Sequence, residues 1–286
     1  MIMASPLEIA LVGAGGKMGM RISDNLQRTG HVVHYSENSP AAQRRVVEAG
    51  RQLSDPDTAV RDADVVILAV PDIALGVVSQ AVVPLLRPDA IVLTLDPAAA
   101  YAGVLHKRDD VHYAVAHPCH PSVFLERSTP EEYADSFGGV AAPQDVVAAF
   151  ESDAPARREI AETIIRIMYG PVIDVHWVTV KQLAVLEPTL VETVACMVGD
   201  LLREALAETV NTVGVPEPAA RAMLYGHVQV ALSNTLRGAN PFSDACRIAM
   251  DYGHETIIRT DWKKIFDDSE LDRVIARMLR LESVES

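Results

Sequence analysis

The side chains best suited to chemistry begin with two histidines that follow a short apolar run. His117 and His120 lie in the segment His-Pro-Cys-His-Pro, where two prolines restrict the backbone. Two imidazole groups in such a turn can bind a metal, relay a proton or hold a carboxylate. Loop histidines are often plain surface residues, but a turn at the end of a predicted strand favours a functional role. We therefore treat both histidines as candidate site residues.

A second group of reactive side chains, Lys181, Glu187 and Glu192, stands at the start of a predicted long helix. At about 100° per residue, Lys181 and Glu192 share one face of that helix but lie about 16 Å apart. Glu187 and Glu192 diverge by about 140° on an ideal helix, and Pro188 bends the helix between them. Acidic groups near a helix start also stabilise the helix dipole, so a structural role stays open. Whether the two glutamates act together is open as well.

These candidates need a framework, and seven short apolar runs predict it. Each run is consistent with a buried strand, and helical segments separate the runs. Strands that alternate with helices are typical of a parallel sheet with right-handed crossovers. The predicted strands cover residues 7–12, 31–35, 64–70, 90–95, 111–116, 145–150 and 172–178.

From residue 179 onward only helical periodicity remains. We therefore predict an α/β fold with two domains. A doubly wound Rossmann-type sheet forms a dinucleotide-binding domain of residues 1–178, and an all-helical C-terminal domain covers residues 179–286. The boundary between them is placed where the alternation of strands and helices stops.

The first predicted strand leads into a glycine-rich turn, Gly13-Ala14-Gly15-Gly16-Lys17-Met18-Gly19. Glycines between a strand and a helix let backbone amides approach a pyrophosphate, and the helix N-terminus then faces the negative charge. The last main glycine falls one position later than in the common G-x-G-x-x-G pattern, and a simple tight turn is the alternative. The strand before the turn and the helix after it favour dinucleotide binding through residues 13–18.

The identity of the dinucleotide depends on the end of the second strand, where Glu37 lies 24 residues beyond Gly13. A carboxylate at about this spacing accepts hydrogen bonds from the ribose hydroxyls and repels an added phosphate, which favours NAD over NADP. Arg44 and Arg45 complicate this choice, and a solvated loop acid is the alternative for Glu37.

Three further residues stand where predicted strands end. Val70 and Asp72 follow the third strand, and Asp96 follows the fourth. Ligands of doubly wound sheets bind at the carboxyl ends of the strands, so Val70 and Asp72 are candidate cofactor-binding residues near the nicotinamide. Asp96 borders the same position, and for all three a simple strand stop is an equal alternative.

The overall charge limits the classes of partner. The chain of 286 residues has 25 basic and 39 acidic side chains and a formal net charge of -14, which repels nucleic-acid phosphates and anionic lipid. No apolar run approaches the roughly 20 residues that span a bilayer. Three cysteines form no paired framework, which indicates a reducing compartment and a cytoplasmic location. No cluster of arginines and lysines marks a phosphate site, which favours an unphosphorylated substrate.

Several of these segments resemble the 6-phosphogluconate and β-hydroxyacid dehydrogenase superfamily, over nearly the whole chain. The resemblance is carried by GAGGKMG, LAVPD, a long helix after an extended sheet, and Lys181 near the start of that helix. The superfamily pattern has an asparagine four positions after the lysine, and this chain has Val185 there. The usual catalytic Lys-Asn pair is therefore incomplete. Helical second domains of this superfamily usually exchange contacts between subunits, so the resemblance implies a homodimer whose residues 179–286 serve substrate binding and dimerisation.

Within that superfamily the chain is most similar to the D-apionate oxidoisomerase branch, on the segments AHPCHPSVF, GGVAAPQD, KQLAVLEPTLVET and GANPFSDACRIAMDYGHETI. This resemblance implies a role in sugar-acid catabolism. The 2-hydroxyl of D-apionate is oxidised by hydride transfer to NAD, and the carboxylate then migrates to give 3-oxo-isoapionate. Acetohydroxyacid isomeroreductase offers a chemical analogy, because a divalent metal organises both steps there.

A divalent ion, zinc or a magnesium-like ion, is consistent with this chemistry because it stabilises an alkoxide and polarises a ketone. His117 and Glu187 form a mixed nitrogen–oxygen ligand set for it. Lys181 or His120 is the expected catalytic group that handles the proton.

Two other functions compete with this interpretation. The first is an NAD-dependent dehydrogenase of a 3-hydroxy acid or another sugar acid, without rearrangement of the carbon skeleton. The second is a non-catalytic protein that senses nucleotides. The polar residues retained in the predicted cleft argue against the sensor, and the skeleton of the product distinguishes the two enzymes.

Overall fold

The computed structural model describes residues 5–284. Seven strands form one sheet in the order β2-β1-β3-β4-β5-β6-β7. All seven predicted strands are confirmed, with ends that shift by at most two residues. The strands are β1 (Glu8–Val12), β2 (Val32–Ser36), β3 (Val65–Leu68), β4 (Ile91–Thr94), β5 (His112–Pro118), β6 (Gln144–Phe150) and β7 (Val172–Trp177).

Helices connect most strands and make up the C-terminal part of the chain. In the described residues, no helix has the length and apolar content needed to cross a membrane. The α-helices are α1 (Lys17–Leu26), α2 (Pro40–Glu48), α3 (Pro56–Arg61), α4 (Asp72–Val82), α5 (Ala98–Tyr101), α6 (Pro130–Ala134), α7 (Pro155–Met168), α8 (Val180–Ala184), α9 (Met197–Asn211), α10 (Glu217–Arg237), α11 (Asp244–Ile257) and α12 (Asp268–Leu279). Short 3-10 turns cover Val83–Leu85 and Trp262–Phe266.

The segment Val185–Cys196, between α8 and α9, is a π-helix that contains Pro188. A proline inside a helix lacks the amide hydrogen, and its ring clashes with the carbonyl group four residues earlier. The wider turn of a π-helix is a known way to absorb such an interruption, and π segments are frequent at functional sites. The interruption predicted at Pro188 is therefore found as a change of helix type next to Glu187.

The sheet is not parallel throughout, so the predicted parallel sheet is wrong at one position. The strands from β2 to β5 run parallel in sheet order, but β6 runs antiparallel to β5, and β7 is parallel to β6. The connection of residues 119–143 contains only the short helix α6 and returns the chain at the same edge of the sheet. As a result β6 begins beside the end of β5, with His117 paired to Val147 and Pro118 paired to Val146.

The central strands hold the core. Every residue of β3 and β4 is buried, as expected for parallel strands covered on both faces. Side chains of α1 and α7, including Ile22, Leu26, Ile164 and Ile165, belong to the same buried cluster. This packing fixes the strand ends from which the candidate site residues project.

The chain divides into two compact units. The first runs to Pro188 and resumes at Asp272, and we call it the sheet unit; the second, Thr189–Leu271, is the helical unit. This division lies ten residues beyond the predicted boundary at residue 178. It also assigns the end of α12 to the sheet unit, where the Tyr101 hydroxyl donates a hydrogen bond to Asp272 at 2.8 Å. The division of roles between a dinucleotide domain and a substrate domain stays a prediction.

The two units differ in how much they bury. In the helical unit, α9 and α11 contain no buried residue, and α10 buries only Ala220. Large apolar side chains are exposed along all three helices. They include Met197, Val198, Met223, Tyr225, Val230, Leu236, Ile248, Tyr252 and Ile257.

Candidate active site

The glycine turn has the geometry that backbone contact with a ligand requires. Gly13 has a φ of 81°, in the left-handed region that favours glycine. A Cβ atom at Gly19 would lie 2.1 Å from the carbonyl oxygen of Gly13, so no other residue fits there. Gly16 caps α1, which starts at Lys17 rather than at Met20 as the sequence predicts. Lys17 and Met18 therefore form the first turn of the helix, next to the position expected for a pyrophosphate.

Glu37 lies at this turn, as the spacing predicts. One oxygen of its carboxylate accepts a hydrogen bond from the Gly15 amide at 3.0 Å, and the other accepts from the amides of Asn38 and Ser39. Arg45 donates from Nε to the Gly15 carbonyl at 2.9 Å. The backbone amide of Gly15 is therefore hydrogen-bonded to Glu37, and its carbonyl is hydrogen-bonded to Arg45. The roles of Glu37 and Arg45 toward a cofactor stay predictions.

The other predicted cofactor residues follow β3. Val70 packs close to Gly13, because its Cγ1 atom would lie 2.9 Å from a Cβ at that glycine. Asp72 is the first residue of α4. Both residues stand at the carboxyl edge of the sheet, on the same side as the glycine turn. Their contact with a nicotinamide stays a prediction.

At the end of β5, three potential metal ligands meet within the sheet unit. Asp96, His117 and Glu187 each place a ligand atom within 4.8 Å of the others. His117 Nδ1 lies 2.9 Å from Asp96 Oδ1 and 3.2 Å from the Leu95 carbonyl oxygen. Because both neighbours are acceptors, Nδ1 carries the hydrogen, and Nε2 remains for a ligand.

The electrostatics of the group favour a positive charge. Glu187 is only 6% exposed. Burial lowers the pKa of His117, but the hydrogen bond and charge of Asp96, together with the charge of Glu187, outweigh it and raise that pKa. Two carboxylates around one imidazole thus stabilise positive charge at this position. The structure brings His117 and Glu187 together as the sequence predicts, and it adds Asp96 to them.

His120 is held in a strained conformation beside this group. Its φ of 60° is uncommon for a residue with a side chain, and such strain clusters at functional sites. Nδ1 donates a hydrogen bond to the Phe137 carbonyl at 2.7 Å, which leaves Nε2 as an acceptor. Burial lowers the pKa of His120, and although the hydrogen bond to the Phe137 carbonyl raises it, the charges of His117, Arg21 and Lys17 keep the pKa below its ordinary value. The lowered pKa favours the neutral imidazole, whose Nε2 lone pair is then available. The His120 ring lies 6.3 Å from the His117 ring by centroid distance.

The connection between β5 and β6 holds residues that the sequence analysis missed. The buried carboxylate of Asp135 accepts four backbone hydrogen bonds, from Gly138, Val140, Ala141 and Ala142. This arrangement fixes Phe137, whose carbonyl orients His120. The two adjacent glycines after Phe137 signal a tight turn in the sequence, but nothing there indicates that Asp135 closes it.

The remaining predicted residues lie on the helical segment after β7. Lys181 is on α8 with an exposed side chain, six residues before Glu187, and its role in proton transfer stays a prediction. Among the described residues, the group of three potential ligands does not include Glu192, which is exposed where Glu187 is buried. Two glutamates five residues apart thus have different environments.

Models of two protein-family domains match this chain. A model of the NAD binding domain of 6-phosphogluconate dehydrogenase matches residues 8–100. A model of the C-terminal domain of decarboxylating phosphogluconate dehydrogenase matches residues 125–279. The glycine turn, Glu37 and Val70 all lie within the first match, which supports NAD as the cofactor of this protein.

Individual relatives extend over the whole chain. The chain is 63% identical over 284 residues to a D-apionate oxidoisomerase from Pectobacterium atrosepticum, covering 99% of this chain and 100% of the relative. A crystal structure of a semialdehyde dehydrogenase NAD-binding protein from Cupriavidus necator, in complex with calcium and NAD, is 40% identical and superimposes with a TM-score of 0.91, covering 95% of this chain and 99% of that one. An NADH-preferring ketol-acid reductoisomerase from an uncultured archean, at 18% identity and a TM-score of 0.68 over 96% of this chain and 82% of that one, shares the fold. The chain therefore belongs to the D-apionate oxidoisomerase family, a family of NAD-dependent oxidoreductases.

Proposed function

We propose that this protein oxidises D-apionate with NAD and rearranges the product to 3-oxo-isoapionate. The observation that carries the proposal is the position of His120, whose Nδ1 donates to the Phe137 carbonyl, beside the potential ligands Asp96, His117 and Glu187. The 63% identity to a D-apionate oxidoisomerase over the full length supports the choice of substrate. NAD, bound at the glycine turn, supplies the hydride acceptor.

The residues at the end of β5 fit a divalent cation. One imidazole nitrogen and two carboxylates form a mixed ligand set typical of zinc and related ions, and their mutual distances are compatible with one shared ion. Asp96 serves either as a third ligand or as the group that orients His117 through Nδ1. The chemistry supplied at such a site is polarisation of neighbouring hydroxyl and carbonyl oxygens. We propose a divalent metal here, held by His117 and Glu187.

His120 is the proposed proton acceptor in the oxidation. Hydride leaves C2 of the substrate while Nε2 takes the proton of the C2 hydroxyl, which gives a 2-ketone and NADH. His120 suits this task because Nδ1 donates to the Phe137 carbonyl, which leaves Nε2 as the acceptor, and because the lowered pKa favours the neutral imidazole. Lys181 is the alternative proton acceptor.

The rearrangement must balance electrons as well as atoms. C3 of D-apionate carries a hydroxyl and two hydroxymethyl groups. When one hydroxymethyl group moves with its bonding pair from C3 to C2, C3 becomes a ketone and the skeleton is that of 3-oxo-isoapionate. The protonated His120 gives its proton to the oxygen on C2 and then takes the proton of the C3 hydroxyl, which it releases to solvent after the reaction. A carboxylate leaving C2 would bring its pair to a carbon that already has four bonds. The balance therefore favours a hydroxymethyl shift over the carboxylate shift that the family resemblance implies.

Carbon NMR of the product formed from D-apionate and NAD, with and without a chelator, tests the function. We expect NADH formation together with a rearranged 3-oxo acid, and loss of both on chelation. An unrearranged 2-oxo acid would instead favour the simple dehydrogenase. Tight NAD binding without any turnover would contradict the proposed substrate.

We also propose that the protein is a homodimer formed through the helical unit. The helices α9 and α11 bury no residue within the single chain while exposing large apolar side chains. A cavity of about 670 Å³ between α9 and α10 is lined by Leu202, Leu206, Val210, Leu224 and Val228. Apolar surface of this extent needs a partner, and a second copy is the partner always present. Sedimentation as a single-chain species at micromolar concentration would contradict the dimer.

A cytoplasmic location completes the proposal. All three cysteines, Cys119, Cys196 and Cys246, are free thiols, which fits a reducing compartment. Quantitative thiol labelling of protein taken directly from cells would detect three reduced cysteines per chain.

A further inference from the structure

Arg21, on the second turn of α1, lowers the pKa of His120 by its charge, but the proposed reaction gives it no contact with the substrate. Its guanidinium carbon lies 4.5 Å from the centroid of the Phe137 ring, and Nη1 donates a hydrogen bond to the Gly138 carbonyl. Lys17, one helical turn earlier, places Nζ 4.3 Å from the same centroid. The His120 ring lies 4.5 Å from that centroid as well. Three basic side chains thus surround one aromatic ring, although no cluster of arginines and lysines is apparent in the sequence.

The position of this ring is firmly fixed. Phe137 is followed by Gly138 and Gly139, with φ values of 81° and 82°, and the four amides bound to Asp135 hold the turn closed. Asn25, also on α1, donates from Nδ2 to the Gly139 carbonyl at 3.1 Å. The same helix that carries Arg21 is therefore attached to the turn that carries Phe137. A guanidinium group stacked on such a ring loses little freedom when it binds a ligand.

Arg21 forms one ion pair in the described residues, a long one to Asp135 at 4.0 Å. The oxygens of Asp135 also accept four backbone hydrogen bonds, so this carboxylate is shared between Arg21 and the amides of the turn. A guanidinium group has five N–H donors, and the Gly138 carbonyl uses one of them. The side chain is 29% exposed, so a small ligand can reach it. A planar guanidinium group with unused N–H donors is suited to binding a carboxylate.

We infer that Arg21, stacked on Phe137, binds the carboxylate of the sugar-acid substrate. This inference rests on the proposed function and names the group that recognises the acid. Lys17 begins α1 beside the glycine turn and is already assigned to the cofactor, whereas Arg21 lies one turn further along. Because the carboxylate carbon is bonded to C2, an anchor at Arg21 also places the C2 hydroxyl. His120 contacts the same ring and is therefore the base next to that hydroxyl.

The test compares an acid with its uncharged amide, so that binding through charge is measured without any turnover. The probes are D-glycerate and D-glyceramide, titrated by NMR into the NADH-loaded protein. The variants are Arg21→Gln and Arg21→Lys, with Arg28→Gln as the matched control because Arg28 is exposed just after the same helix. Thermal unfolding and NADH titration of each variant check that the fold and the cofactor site are intact.

We expect the natural protein and Arg28→Gln to bind glycerate on the order of tenfold to a hundredfold more tightly than glyceramide, as a charge-assisted pair predicts. Arg21→Gln should reduce this ratio to about one with unchanged NADH affinity, and Arg21→Lys should restore part of it. A ratio that Arg21→Gln leaves unchanged would overturn the inference, and so would a loss of NADH affinity equal to the loss for glycerate, because the cation would then serve the pyrophosphate.

The result of this titration does not depend on whether D-apionate is the substrate, so the two proposals can fail separately. If the natural protein does not convert D-apionate but its preference for glycerate depends on Arg21, the carboxylate site stands and the proposed function fails. If D-apionate is converted and the preference is indifferent to Arg21, the function stands and the carboxylate site fails.

Discussion

The sheet unit and the helical unit of this protein have opposite relations to solvent. In the sheet unit, β3 and β4 are buried along their whole length, and side chains from α1 and α7 pack into the same cluster. In the helical unit, α9 and α11 bury nothing within the single chain. The sheet unit therefore has a buried core of its own, whereas the helical unit exposes apolar surface that the proposed dimer would cover.

This difference predicts that catalysis and dimerisation depend on different units of the protein. The glycine turn, His120 and the three potential metal ligands all belong to the sheet unit, since the unit extends to Pro188 and includes Glu187. A substitution at these positions should remove activity and leave the oligomer intact. A substitution on the exposed apolar face of the helical unit should change the oligomer first. Four predictions test this separation, in order of decreasing effect.

The largest effect is expected at the potential metal ligands. His117→Ala and Glu187→Gln each remove a ligand, so kcat/KM for D-apionate should fall on the order of a thousandfold, with loss of bound metal by elemental analysis. NADH affinity and sedimentation should not change. The control is His106→Ala, an exposed histidine elsewhere in the sheet unit. Full metal content in both ligand variants would contradict the assignment.

The next effect should appear in the helical unit. Ile248→Asp places a charge on an apolar side chain that is 71% exposed in the single chain, and we expect it to dissociate the dimer, seen by analytical ultracentrifugation. Val77→Asp is the matched control in the sheet unit, where the side chain is 73% exposed. If the two variants sediment alike, the proposed surface is not the interface.

A smaller effect is expected in the glycine turn. Gly19→Ala sets a methyl group 2.1 Å from the Gly13 carbonyl oxygen, so the turn must move. We expect a loss of about 2–3 kcal/mol in the free energy of unfolding and weaker NADH binding by fluorescence titration. Gly30→Ala meets no atom within 4 Å and should behave like the natural protein. Equal stability of the two variants would refute the close packing described here.

The smallest effect concerns the turn that carries Phe137. Asp135→Asn replaces a buried carboxylate that accepts four backbone hydrogen bonds with an amide that has only one acceptor oxygen. We expect the free energy of unfolding, measured by urea denaturation, to fall by about 1–3 kcal/mol. Glu131→Gln, at an exposed site on α6, is the control. Burial raises the pKa of Asp135, but the backbone hydrogen bonds outweigh it and lower that pKa below its ordinary value of 3.8.

The lowered pKa of Asp135 determines how its contribution to the free energy of unfolding changes with pH. The stabilisation by Asp135 is fully present above pH 3.8 and disappears as the pH falls through the lower folded-state pKa. Acid unfolding of the natural protein should therefore include a contribution that Asp135→Asn lacks. Parallel acid-unfolding curves for the two proteins would argue against this role of the carboxylate.

The sequence predicted the framework better than the details of the site. The seven strands are predictable because apolar runs are visible in the local sequence. The choice of His117 and Glu187 as one ligand set rests on the family resemblance, which short sequence segments carry. The reversed direction of β6 was missed because it depends on where a 25-residue connection returns, which no local pattern encodes. Asp96 was placed at the sheet edge, but its contact with His117 depends on how two neighbouring strand ends meet.

The cationic group around Phe137 was missed for the same reason. Lys17 and Arg21 are one helical turn apart, which the sequence indicates, but Phe137 and His120 come from a separate connection. A cluster built by long-range packing leaves no run of basic residues in the sequence. Charge counts over the chain therefore do not exclude a local anion site.

The proposed oxidation and rearrangement are tested most directly by carbon NMR of the product formed from D-apionate labelled with carbon-13 at C1 and C2. Oxidation at C2 followed by a hydroxymethyl shift keeps the carboxyl carbon bonded to C2, so we predict a 3-oxo product in which the one-bond coupling between the two labels is retained. A 2-oxo acid with the original skeleton would rule out the rearrangement, and a rearranged product in which that coupling is lost would rule out the hydroxymethyl shift.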